Sequence, residues 1–165
     1  MSRQQGFSLI ELLIVVAIIL IIAAIAIPSL QRSRMAANEA AAVAALRVLN
    51  NSEVTYALSY NSGYTDGFNK LGPPPTGQLP SFDNADLVDD QLAGRGPGGT
   101  NTTFTKSGYL FTYSSTGTFG AIGVYSMSAN PTLRGGTGQR SFFTNEPLVI
   151  RANNTAPATS SDNPL

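Results

Sequence analysis

The sequence predicts an α+β protein, in which one long N-terminal α-helix packs on a small C-terminal antiparallel β-sheet. Three observations lead to this class. No charged side chain lies between Leu12 and Leu30. The stretch from Met35 to Leu58 is rich in Ala and has no Gly or Pro, which favours continued helix. From Phe104 the apolar pattern changes to a period of two, which is typical of strands with one buried face.

Residues 7–30 are predicted to form a transmembrane helix, because a bilayer is crossed by about 20 apolar residues. The segment contains one carboxylate, Glu11. A charge inside a membrane segment costs roughly 2.5–3.5 kcal/mol, so Glu11 is a candidate functional residue. Residues 1–6 form a polar leader that carries Arg3 and ends in Gly6. An ordinary secretory signal has its cleavage site after the apolar core, not before it.

This N-terminus resembles that of type IV prepilins and the related pseudopilins, over about a sixth of the chain from Gly6 to Pro28. In that family a prepilin peptidase cuts between a glycine and a phenylalanine, and the new N-terminus is methylated. The resemblance implies cleavage between Gly6 and Phe7 with N-methylation at Phe7. Glu11 falls at the fifth mature position, where the family carries its glutamate, and it is expected to act in assembly. Pro28 matches a proline of many pilin helices and is expected to kink the helix.

The resemblance implies the pilin fold and a structural subunit, major or minor, of a type IV pilus. Its helix would cross the inner membrane once before assembly and lie in the core of an extracellular filament afterwards. The implied partners are further copies of the chain, the prepilin peptidase, an inner-membrane assembly platform and membrane lipid. Such filaments serve cell adhesion or motility, among other tasks. Two alternatives stay open, a pseudopilin of a type II secretion system and a membrane-anchored periplasmic binding protein.

Two arginines beside the apolar run give a conflicting signal about orientation. Arg32 and Arg34 would favour a cytoplasmic C-terminal side under the positive-inside rule. The resemblance implies that the C-terminal domain lies outside the cell. We follow the resemblance, because it is more specific than a bias of two residues.

Residues 31–60 are predicted to continue the helix as an amphipathic segment. Apolar and aromatic side chains recur there at spacings of three, four and seven residues, which places them on one stripe of a helix. The stripe consists of Val43, Leu46, Leu49, Tyr56 and Tyr60. We expect this stripe to cover the apolar face of the sheet.

Residues 61–103 are expected to form a variable loop between the helix and the sheet. Pro73, Pro74 and Pro75 stiffen one connection, and residues 94–99 are a glycine-rich open loop. This loop has no strand before it and no Lys-Ser/Thr after it, so it does not indicate a phosphate site. A short helix is predicted from Asn84 to Leu92.

Residues 104–152 are predicted to form three or four antiparallel strands. Tyr109, Phe111 and Tyr113 share one strand face. The next strand is predicted from Phe119 to Met127. A hairpin is then predicted, with strands Ser141–Thr144 and Leu148–Ala152. Residues 153–165 are polar and are expected to form a disordered tail.

The composition argues against several functions. Acidic and basic residues are equal in number, so no basic excess predicts binding to specific nucleic acid. The chain has no His and no Cys, which excludes the usual zinc ligands and His-based acid–base catalysis. We therefore predict no catalytic residue, no cofactor and no metal site. An acidic cluster, which lacks the spacing of a calcium loop, is interpreted as a solvated turn; it comprises Asp83, Asp86, Asp89 and Asp90.

Overall fold

The computed structural model describes residues 7–117 and 122–165. The chain divides into two compact units, Met1–Arg34 and Met35–Leu165, and each is described by itself. The described part of the first unit is helical from Leu9 onward. The second unit combines helix and antiparallel sheet, and the predicted α+β class is confirmed.

A single helix, α1, spans Leu9–Tyr60. The carbonyl of Ser8 accepts the N–H of Leu12 at 3.2 Å, so Ser8 is the N-cap, a position at which serine is preferred. The helix begins two residues after the predicted start at Phe7. It ends where predicted, because Asn61 adopts a left-handed backbone with φ 47° and closes the last turn onto the carbonyl of Ala57.

The second half of α1 presents the predicted stripe to the core of its unit. Leu46, Leu49 and Tyr56 are completely buried, and Val43 and Tyr60 are partly buried against the same cluster. The stripe prediction is therefore confirmed. Burying a large apolar side chain contributes about 1.5–3 kcal/mol, so this face holds the helix on the sheet.

The sheet has five described strands in the order β1-β2-β3-β4-β5, and every neighbouring pair is antiparallel. The strands are β1 Thr103–Lys106, β2 Tyr109–Thr116, β3 Val124–Pro131, β4 Ser141–Asn145 and β5 Arg151–Asn153. Three or four strands were predicted, and the additional one is β1, which pairs along the first half of β2. The central pair is the longest, running from Tyr109 opposite Pro131 to Thr116 opposite Val124. On β2 the predicted aromatic face is confirmed, because Tyr109, Phe111 and Tyr113 are buried while Leu110 is exposed.

Two strands differ from their predicted bounds. The predicted start of one strand, Phe119, lies outside the described residues. The observed β3 begins at Val124 and runs on to Pro131, because the register with β2 continues to that point. The last strand begins at Arg151 and not at Leu148, since Leu148 has a left-handed backbone and donates its N–H to the carbonyl of Asn145 in a tight turn.

The segment 61–103, predicted to be a variable loop, contains a short 3-10 helix at Phe68–Leu71. The predicted helix Asn84–Leu92 is wrong. The N–H groups of residues 85–88 donate to carbonyls of Lys70, Leu71 and Gly72, so they are not used for helical bonds. Asp86 also has a left-handed backbone with φ 57°.

The C-terminal segment differs from the disordered tail that the sequence predicts. The N–H of Ala152 donates to the carbonyl of Asn163 at 3.1 Å, and the N–H of Leu165 donates to the carbonyl of Ile150 at 2.9 Å. Arg151 adds a bond from its guanidinium to the carbonyl of Asp162. The segment therefore covers the edge of the sheet at β5, which would otherwise present unpaired backbone groups.

Candidate functional site

The first unit exposes an apolar helical surface. An 18-residue window of α1 has a mean hydropathy of 3.3 and none of it is buried, so by length and composition the helix is able to cross a membrane. Phe7 is 80% exposed and Ile25 is 72% exposed. A soluble monomer rarely exposes so large an apolar patch, and such patches mark interaction surfaces for membranes or proteins.

Glu11 lies in the first turn of α1 and is exposed. At this position its charge interacts favourably with the positive end of the helix dipole. Among the described residues, Glu11 has no ion pair. Burial of this carboxylate in lipid or protein would therefore call for a partner from outside the described chain.

The predicted processing site lies at the border of the described residues. Gly6 falls outside them, and Phe7 is the first residue that the structure describes. Phe7 precedes the helix, so its backbone is not held by helical bonds. Cleavage between Gly6 and Phe7 stays a prediction.

Pro28 lies inside α1, and helix continues on both sides of it. Because proline has no N–H, the carbonyl of Ala24 lacks its usual helical donor. One turn after Pro28, the hydroxyl of Ser33 donates to the carbonyl of Ser29 at 3.1 Å. Such back-bonding is associated with bent helices, so this part of α1 is the natural place for the predicted kink.

The second unit buries four polar residues of α1, none of which was among the residues predicted to be buried. The hydroxyl of Ser52 donates to the carbonyl of Leu87 at 3.4 Å, and the other three are Glu39, Asn50 and Glu53. Glu39 is the first. It accepts the Nε of Arg140 at 2.8 Å, the N–H of Gln139 at 2.8 Å and the N–H of Arg140 at 3.1 Å. Burial acts to raise the pKa of Glu39, but these hydrogen bonds and the nearby guanidinium outweigh it and lower the pKa.

Asn50 is the second. Its amide donates to the hydroxyl of Thr144 at 2.8 Å, and its carbonyl oxygen accepts the hydroxyl of Tyr125 at 3.1 Å. All of its partners lie on β3 and β4. Burial first, and the charge of Glu53 second, raise the pKa of Tyr125, which therefore remains a neutral donor.

Glu53 is the third, and it is completely buried. The hydroxyl of Thr65 lies 2.6 Å from one carboxyl oxygen, and the N–H of Thr65 donates to the other at 3.0 Å. Burial raises the pKa of Glu53 to about 7, even though hydrogen bonds with Thr65 and with the hydroxyl of Tyr113 act to lower it. Glu39 and Glu53 are thus two buried carboxyls with opposite pKa shifts.

The spacing of these polar residues along the sequence predicts that they are buried. Glu39, Asn50 and Glu53 fall at helical spacings from Leu46, so they belong to the buried face and not to the solvated one. A polar residue on a buried face must find a hydrogen-bond partner. The predicted stripe contained only the apolar and aromatic residues of that face.

The acidic cluster is engaged in local contacts. Asp83 lies 3.7 Å from Lys70, Asp89 lies 4.0 Å from Lys106, and Asp90 lies 3.8 Å from Arg95. Asp89 also accepts the N–H of Leu92. In the described part of the chain, no group of three or more acidic, His or Cys side chains is arranged to hold a metal ion.

Comparison with known proteins points to one family. The N-terminal 27 residues match the family model described as the prokaryotic N-terminal methylation motif. The chain is also similar to the type IV major pilin protein PilA of Myxococcus xanthus, with 40% identity over 73 residues, which is 44% of this chain and 33% of that protein. A second relative is the type IV wide pilus major component PilA4 of Thermus thermophilus, with 44% identity over 62 residues, 38% of this chain and 47% of that protein.

The protein thus carries a prepilin-type methylation motif on an apolar helix. The motif and the two relatives show that part of this chain is similar to type IV pilins. The chain spans between a third and about half of the length of these curated relatives. No solved structure is a significant match.

Proposed function

We propose that the protein is a structural subunit of a type IV pilus, which polymerises through the first part of α1. The observation that carries this proposal is the exposed apolar helix with a carboxylate in its first turn. The two relatives, a major pilin and a wide-pilus major component, favour a pilus over a secretion pseudopilus. The role is structural and not catalytic.

Processing comes first in the proposed sequence of events. A prepilin peptidase cuts between Gly6 and Phe7, and the amino group of Phe7 is then methylated. Cleavage removes the polar leader and leaves a charged amino group four residues before Glu11. Before assembly the helix is stored in the inner membrane, where lipid covers its apolar side chains.

Assembly then moves the helix from lipid into a bundle of identical helices, on an inner-membrane assembly platform. Because lipid and the bundle are both apolar, the transfer changes little hydrophobic free energy, and close packing decides the geometry. Small side chains permit close approach of neighbouring helices. Those of the first unit include Ala17, Ala23, Ala24 and Ala26.

Glu11 is proposed to fix the axial position of each incoming subunit. In the bundle its charge is buried and needs a cation, and the amino group of Phe7 on a neighbouring copy supplies one. Pairing makes burial of the carboxylate conditional on the correct stagger. Single buried polar groups set register in coiled coils in the same way.

The test is electron microscopy of material sheared from cells, with mass spectrometry and N-terminal sequencing of its main band. We expect filaments whose main protein begins at Phe7 with a methylated amino group. Retention of Met1 in filaments, or cleavage near Pro28, would refute the processing step. The absence of this chain from sheared filaments, with the protein still in the membrane, would refute the pilus subunit.

A further inference from the structure

A buried ring of hydrogen bonds joins Glu53 of α1, Thr65 of the following loop and Tyr113 of β2. Three contacts between oxygen atoms run in series. Glu53 Oε1 lies 2.6 Å from Thr65 Oγ1, Thr65 Oγ1 lies 3.1 Å from the hydroxyl of Tyr113, and that hydroxyl lies 2.8 Å from the carbonyl of Thr65. We call these three residues the Glu53 latch.

The number of protons decides the charge of Glu53. Each of the three contacts needs one proton, and the hydroxyls of Thr65 and Tyr113 supply only two. If Glu53 is ionised, Thr65 donates to the carboxylate and Tyr113 donates to the Thr65 carbonyl. The contact at 3.1 Å between the two hydroxyl oxygens is then left without a proton.

A protonated Glu53 supplies the missing proton. Glu53 then donates to the hydroxyl of Thr65, which donates to the hydroxyl of Tyr113, which donates to the carbonyl of Thr65. The other carboxyl oxygen still accepts the N–H of Thr65 at 3.0 Å. Every donor and acceptor of the latch is satisfied, as a completely buried polar group requires.

Among the described residues, the nearby charge that acts on the pKa of Glu53 is the negative charge of Asp66, which raises it. Described groups that interact with Glu53 include Tyr56 on α1, Asp66 in the loop, Tyr113 on β2 and Tyr125 on β3, and of these the hydroxyl of Tyr113 acts to lower the pKa of Glu53. These groups are neutral or negative. In the described part of the chain no Lys or Arg forms an ion pair with Glu53, and Lys70 lies 3.4 Å from Asp66.

We propose that Glu53 is a protonated carboxyl that holds the loop at Thr65 on the helix and the sheet in acidic solution, and that its ionisation near neutral pH loosens this attachment. A carboxylate at this place needs water or a cation, and displacement of the loop at Thr65 would admit water. The raised pKa of about 7 agrees with this geometry. The chain has no His and no Cys, so no other side chain with an ordinary pKa titrates strongly between about pH 6 and 8.

The direction of the pH effect follows from linkage. The pKa of Glu53 is raised on folding from 4.5 to about 7, so between these values the folded state binds the proton and the unfolded state does not. Stability is then highest at the acidic end and falls as the pH rises. The equilibrium constant for unfolding should increase roughly 70-fold between about pH 5 and about pH 8.

The test uses the full-length protein in detergent, with the variant Glu53→Gln. Its amide group donates to Thr65 Oγ1 and its carbonyl accepts the N–H of Thr65, so the variant imitates the protonated latch. We expect the wild type to lose stability across this pH range and Glu53→Gln to show no such loss. The matched control Glu39→Gln should keep the pH response of the wild type.

Two further measurements report the latch directly. Infrared difference spectra of the wild type should show one protonated carboxyl that ionises near neutral pH. Hydrogen exchange, corrected for the intrinsic rate, should show opening at the Thr65 amide that increases over the same range. The proposal is overturned if no carboxyl ionises above about pH 6, or if Glu53→Gln folds and retains the wild-type pH response. Should Glu53→Gln fail to fold, the infrared titration of the wild type decides alone.

Discussion

Leu20 and Leu49 are the same residue type on the same helix, but their environments are opposite. Leu20 is 63% exposed, and Leu49 is completely buried against the sheet of its own unit. The second half of α1 obtains its apolar cover from this chain. The first half obtains none from the described residues of its own unit, and in the proposed function lipid or other copies cover it. The contrast separates a part that folds for itself from a part that is completed only by its surroundings.

The carboxylates of the two halves differ in the same way. Glu39 and Glu53 have all their hydrogen-bond partners within the second unit. Glu11 has no ion pair among the described residues. A charged group that is left unpaired inside a membrane segment indicates function more strongly than one that is paired in a folded core.

The largest expected effect is a difference in solubility between the halves. A fragment that begins at Ser33 should be soluble without detergent and should show mixed helix and sheet by circular dichroism. The full chain should need lipid or detergent, since its first unit exposes apolar surface. A fragment that stays unfolded would contradict the conclusion that the second unit folds by itself, because its folding would then depend on the first unit.

The next effect is on stability and compares the two leucines directly. Leu49→Ala should lower the free energy of unfolding of the second unit by about 2–5 kcal/mol, because it removes buried apolar contacts and leaves a cavity. The matched control Leu20→Ala should change it by less than about 0.5 kcal/mol. Urea unfolding of the detergent-solubilised protein, followed by near-ultraviolet circular dichroism, measures both. Equal losses from the two substitutions would contradict the separation of the units.

A smaller effect is expected at Glu39, with the opposite pH dependence to Glu53. Glu39→Gln should lower the stability by about 2 kcal/mol at neutral pH, because it weakens hydrogen bonds to a charged group. The pKa of Glu39 is lowered from 4.5 on folding. Its contribution is therefore present above 4.5 and is lost as the pH falls through the folded value.

Unfolding of the wild type and Glu39→Gln at a series of pH values checks this prediction. The two proteins should approach each other in stability as the solution becomes acidic. A difference that stays constant down to strongly acidic pH would show that the Arg140 contact contributes through packing and not through charge.

The sequence predicted what depends on local periodicity. The end of α1 at Tyr60, the buried stripe and the aromatic face of β2 follow from spacings of a few residues. The helix predicted at 84–92 does not form, because the N–H groups of residues 85–88 donate to carbonyls of residues 70–72. No local sequence pattern indicates this pairing. The prediction of a disordered C-terminal tail was wrong for the same reason, since the backbone of that segment forms hydrogen bonds at and next to β5.

The candidate functional residues also differ in whether a local sequence pattern predicts them. Phe7 and Glu11 were found from a local motif, and the structure places them on the exposed unit. Thr65 lies 12 positions from Glu53 along the chain, and Tyr113 lies 48 positions from Thr65. Arg140 lies 101 positions from Glu39. Such pairs depend on the tertiary fold, and a single sequence does not specify them.

Filament assembly by Glu11→Gln tests the central claim most directly, because the substitution keeps the shape of the side chain and removes its charge. The variant should be cleaved at Gly6–Phe7 and inserted in the membrane as the wild type is, since neither step needs the carboxylate. When it is the only subunit present, sheared fractions should contain few or no filaments, while the membrane fraction keeps normal amounts of the protein. Normal numbers of filaments would show that the charge of Glu11 does not set the register, and would contradict the account.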